Sequence, residues 1–88
     1  MCGLVSIVSK YKNGFTAKQV EIFTQMLFAD EVRGSDGTGM AFNNKQGEAT
    51  TRILKAPYKS SSFICTKEYQ DAADIMFKES NFVVGHNR

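Results

Sequence analysis

Cys2, followed by Gly3 and preceded only by Met1, is where this sequence first offers chemistry. Removal of Met1 leaves a thiol and a free α-amine on one residue. The thiolate is a strong nucleophile, and an α-amine titrates at about 7.7–8.0, close to the pH at which a general base works best. One residue then carries both nucleophile and proton acceptor, the logic of N-terminal threonine nucleophiles. The apolar run from Gly3 to Ser9 would hold that residue at the end of a buried strand. The bland alternative is a buried cysteine opening a first strand. A retained Met1 would acylate the amine and remove the base.

Two further motifs bear on that choice. Arg33-Gly34-Ser35-Asp36-Gly37-Thr38-Gly39 follows an amphipathic stretch, and Gly85-His86-Asn87-Arg88 follows the apolar Phe82-Val83-Val84. With Cys2-Gly3, and in this order, they resemble the class II glutamine amidotransferases, whose glutaminase domain is an N-terminal-nucleophile hydrolase. The resemblance runs from Cys2 to Arg88 and implies Cys2 as the catalytic residue, attacking the side-chain amide of glutamine to release ammonia and then glutamate. It implies Arg88 as the grip on the substrate α-carboxylate, a task suited to a planar, two-pronged guanidinium. Gly3, Arg33, Gly34, Asp36, Gly39, Gly85, His86 and Asn87 would shape the backbone around them. Asp36 between glycines is also an ordinary turn former. His86 invites a general-base role, but the Cys2 amine fills it in this family, which leaves His86 a packing or hydrogen-bonding duty. No cofactor and no metal are implied.

The elements that must position these residues follow from pattern. Gly3 to Ser9 predicts a strand, and Tyr11 to Gly14 a polar turn marked by Asn13-Gly14. Thr16 with Gln19 reads as a capping box opening a helix. Its apolar stripe runs through Val20, Ile22, Phe23, Met26, Leu27 and Val32, and the helix ends before Gly34. Glycines 34, 37 and 39 would permit backbone angles closed to other residues. Thr38 to Asn44 predicts a second strand, Lys45-Gln46-Gly47 a hairpin turn and Glu48 to Lys55 a third strand. Beyond Pro57, Ser60-Ser61-Ser62 starts a short helical turn. Lys67 to Glu79 fits a longer helix packing through Ala72, Ala73, Ile75, Met76 and Phe77, and Asn81 to His86 a last strand. The order implies an α+β fold with antiparallel strands packed on helices. The resemblance narrows this to the first half of an αββα sandwich.

Residues 1–88 amount to one small domain, and 42% hydrophobic residues argue against wholesale disorder. A net charge of +2, evenly scattered, gives no footprint for nucleic acid. The basic-aromatic pieces around Tyr11 and Tyr58, including Lys55 and Lys59, read as solvated loops. Two cysteines make no disulfide framework, and Cys65 reads as a small buried residue. No stretch is long and apolar enough to span a membrane, and a cytoplasmic setting is the expectation. The oxyanion-hole Asn-Gly and the amine-binding Asp that the resemblance calls for have no counterpart within these residues. Activity is therefore expected only with a complementing polypeptide or a missing C-terminal portion. A split gene product, an excised fragment and a non-catalytic relative acting as a protein-binding or inhibitory module all fit. Half a sandwich also predicts self-association or a partner, with Phe23, Leu27 and one face of the Gly3–Ser9 strand only partly covered.

Overall fold

The computed structural model describes residues 2–10, 14–44 and 50–88, with only the backbone of residues 44, 50, 77 and 78. Four strands form one sheet: β1 (Gly3–Val8), β2 (Thr38–Asn44), β3 (Thr50–Ala56) and β4 (Phe82–Asn87). Its order is β1-β4-β2-β3, and every neighbouring pair is antiparallel. Helices α1 (Ala17–Ala29), α2 (Ser60–Phe63) and α3 (Lys67–Glu79) complete an α+β fold. Residues 11–13 of the turn expected at Tyr11 to Gly14, the Lys45-Gln46-Gly47 turn, the state of Met1 and the packing of Phe77 lie outside what is described.

Local chemistry sets the helix starts. Thr16 Oγ1 accepts from Gln19 N at 3.1 Å, and Gln19 Oε1 accepts from Thr16 N at 2.8 Å, the full reciprocal capping box. Thr66 caps α3 by accepting from Tyr69 N. Glu31 does the same for α2 from a distance: Ser61 N donates to Glu31 Oε1 at 2.8 Å. That bond holds the Glu31 carboxyl below the usual carboxylate range.

Helices α1 and α3 lie on one face of the sheet. Val5, Met40, Phe42, Leu54, Val83 and Gly85 point toward them, and Phe23, Leu27, Tyr69, Ala72 and Met76 close the core from the other side. Phe63 meets Tyr69 edge-on, with ring centroids 5.4 Å apart. Burial pushes the Tyr69 hydroxyl above its ordinary value. Gly85 lets α1 approach the sheet closely. A Cβ there would lie 2.7 Å from Leu27 Cδ1 and 2.9 Å from Phe23 Cζ.

Among the described residues no layer covers the opposite face. Alternation turns Leu4, Val8, Ala41, Ile53, Phe82 and Val84 that way, and Leu4, Val8 and Ile53 are 71%, 76% and 64% exposed. This matches the expectation of an uncovered β1 face. Phe23 and Leu27 correct it: both are fully buried, because the close approach of α1 at Gly85 seals them.

Three other expectations change. Helix α1 ends at Ala29 and tightens into a 3-10 turn, Asp30–Arg33. The tighter winding swings Val32 out of the stripe to 91% exposure. Cys65 is exposed in the turn between α2 and α3, where Phe63 and Tyr69 take the inward positions. Finally, Gly34 has an extended backbone (φ −178°), and among the described residues only Gly14 has positive φ (89°). The loop glycines serve close approach instead of unusual angles.

Candidate functional site

One end of the sheet gathers the three motifs. Gly3 on β1 and Thr38 on β2 are both register partners of Asn87 on β4. Continuing the β1–β4 register outward sets Cys2 beside Arg88. Cys2 is exposed.

A backbone clasp joins the second motif to the third. Arg88 O accepts from Asp36 N at 2.6 Å and from Gly37 N at 3.0 Å, and Arg88 N donates to Gly37 O at 2.9 Å. Gly34 makes room for it: a Cβ there would lie 2.8 Å from Arg88 Cα and 2.9 Å from Arg88 N. A Cβ on Gly37 would lie 3.2 Å from Arg88 Nη2, so the guanidinium rests against that glycine. Asp36 joins the clasp through its backbone N–H, and the residue is exposed. Arg33 lies on the 3-10 turn, exposed.

Beneath β1 and β4 sits a residue that sequence reasoning passed over. Asp30 caps α1, and its carboxylate lies against Gly3, where a Cβ would come within 2.6 Å of Cγ. Asn87 is fully buried, and its Nδ2 donates to both Leu27 O and Asp30 Oδ2 at 3.1 Å. Those two acceptors fix the amide, and they leave Asn87 Oδ1 buried without a donor. One signal for Asp30 was available: an acidic residue at a helix C-terminus opposes the helix dipole. A partner elsewhere is the usual reason for such a placement.

His86 and Gly39 point to the open face and are register partners, and Gly39 also pairs with Lys55 on β3. The three stand in a row across the sheet with a bare glycine in the middle. Above that row and Arg88 is a recess of about 200 Å³, with Lys55, His86 and Arg88 as walls and Gly37, Thr38 and Gly39 as floor. A larger hollow, about 440 Å³ between β3 and α3, is remote from all three motifs. The smaller recess is the one that touches the second and third motifs; Cys2 is not among its lining residues and lies on the β1 side of Arg88. Among the described residues no group of three or more metal-ligating side chains gathers, and no helix is long and apolar enough to cross a membrane.

Set against known proteins, the chain matches no family model, no curated protein and no solved structure.

Proposed function

We propose that this chain is the nucleophile-bearing part of a glutamine amidotransferase domain of the N-terminal-nucleophile type. The observation that carries the reading is the meeting of Cys2, the Gly34–Gly37 loop and Arg88 at one sheet end, from segments more than thirty residues apart. The uncovered apolar sheet face is a second support: an αββα sandwich needs a further sheet there, and that sheet would bring the oxyanion donors.

The chemistry follows from the residues. With Met1 removed, the Cys2 amine takes the thiol proton and Sγ attacks the carboxamide carbon of glutamine. The tetrahedral intermediate collapses as that proton passes to the leaving nitrogen, which departs as ammonia and leaves a γ-glutamyl thioester. The amine then accepts a proton from water, whose oxygen attacks the thioester; glutamate leaves and the thiol is restored. Arg88 holds the α-carboxylate and so fixes the distance of the amide carbon from Sγ.

The test is Cys2→Ser in the chain reconstituted with its complementing polypeptide. Glutamine hydrolysis disappears and assembly persists, and intact mass finds Met1 absent from every active preparation. Hydrolysis unaffected by Cys2→Ser refutes the reading. The open face favours one alternative, a non-catalytic module that binds a partner through it. Tight partner binding with no ammonia release from the wild-type complex would establish that instead.

A further inference from the structure

Glutamine at neutral pH carries one carboxylate and one ammonium, yet the recess offers two cations, Arg88 and Lys55, with His86 beside them. No acidic side chain lines it among the described residues, so an ammonium has nothing there to pair with. The two side chains stand over different glycines. The guanidinium rests on Gly37, and the Lys55 stem passes Gly39, whose Cβ position lies 3.9 Å from Lys55 Cγ. Two residues of extended chain separate those glycines by about 7 Å. A four- or five-carbon chain with a carboxylate at each end spans that gap. Gly39 keeps the middle open: any side chain there would stand between His86 and Lys55, its partners on either side.

We infer that Arg88 and Lys55 form a cradle for a dicarboxylate without a free ammonium, one carboxylate on each cation. Lys55 lies on the β3 side of Arg88 and Cys2 on the β1 side. A ligand in the cradle therefore occupies Arg88 without reaching the thiol. On the reading of Arg88 as the glutamine grip, such a dicarboxylate competes with glutamine and is not itself consumed.

Binding to the full chain is measured by amide chemical shifts at low ionic strength, where exposed charges act most strongly. The probes are glutarate, its monoamide glutaramate, and L-glutamate. Glutarate moves the Gly37–Gly39, Lys55 and His86 amides and binds about tenfold more tightly than glutaramate, the factor one charged contact carries. L-Glutamate binds more weakly than glutarate. Lys55→Gln lowers glutarate to the glutaramate level and leaves glutaramate unchanged. Lys67→Gln, on an exposed helix end, changes neither. Equal affinity for glutarate and glutaramate, tighter binding of L-glutamate than of glutarate, or an equal effect of Lys67→Gln overturns the cradle. Arg88→Gln separates the two ideas. Loss of glutaramate binding with no glutarate preference in the wild type keeps the Arg88 grip and discards the cradle. Glutarate binding untouched by Arg88→Gln discards both.

Discussion

Gly34→Ala tests the clasp that joins the motifs. Gly34 is extended, so alanine meets no backbone penalty there, and the whole effect is steric. The new Cβ would sit 2.8 Å from Arg88 Cα and 2.9 Å from Arg88 N, whereas carbon contacts settle near 3.5–4.0 Å. The two backbones must part by about 0.7 Å or more. That displacement stretches the three clasp bonds, now 2.6, 3.0 and 2.9 Å, toward or past the limit of useful geometry. At about 1 kcal/mol net for each bond, the loss is about 3 kcal/mol, the upper range for overpacking. For a domain of this size 1 kcal/mol moves the melting temperature by about 4–8 °C, so the midpoint falls by roughly 12–24 °C. Gly39→Ala is the control. Its Cβ would meet only Leu54 O at 3.5 Å and Lys55 Cγ at 3.9 Å, ordinary contacts. With less chain entropy to lose, it should gain about 0.4–1 kcal/mol. Thermal and urea melts followed by circular dichroism read both variants. A Gly34→Ala protein within about 0.5 kcal/mol of wild type, or equal losses in both, would refute the clasp.

Other consequences are measurable on the same preparations. The open face predicts a melting temperature that rises with protein concentration, and Leu4→Ser with Ile53→Ser should abolish that dependence; sedimentation of a strictly monomeric wild type contradicts it. Glu31 has a lowered carboxyl, so its contribution is present above the unfolded value near 4.5 and fades as pH falls through the folded one. Glu31→Gln should therefore narrow the stability difference between pH 7 and pH 3, and an unchanged difference removes Glu31 from that role. Thr16→Ala, which deletes one arm of the capping box, should cost about 0.5–2 kcal/mol in urea denaturation. Cys65 should react with a thiol reagent in the native chain as fast as in urea, and protection of Cys65 in the folded state contradicts its exposed placement.

Sequence pattern carried the elements well wherever local chemistry decides them. Thr16 and Gln19 announce α1, β2 begins and ends where its glycines and turn residues suggest, and α3 follows the expected span from Lys67 to Glu79. Cys65 and Val32 escaped because their exposure depends on how a turn and a 3-10 segment rotate, which apolar periodicity does not encode. The motifs told which residues to watch and nothing of how they meet. Lys55 is expected at the end of the third strand, but only the β2–β3 register sets it beside Gly39. Asp30 shows its purpose only when Asn87, fifty-seven positions later, comes to lie against it.

The pairing of β1 with β4 also has a bearing on biosynthesis. Among the described strands β1 pairs only with β4, and their register joins residue 3 to residue 87. The hairpin of β2 and β3 is available early, whereas the strand behind Cys2 waits for residues 82–87 to leave the ribosome. Contacts this distant along the chain form late and slowly. Until then the amino end is an unpaired peptide, open to the aminopeptidase that would trim Met1. Nascent chains stalled before residue 82 should thus lose Met1 as readily as an unstructured peptide, and resistance to trimming at that length would show the end protected before its partner strand exists.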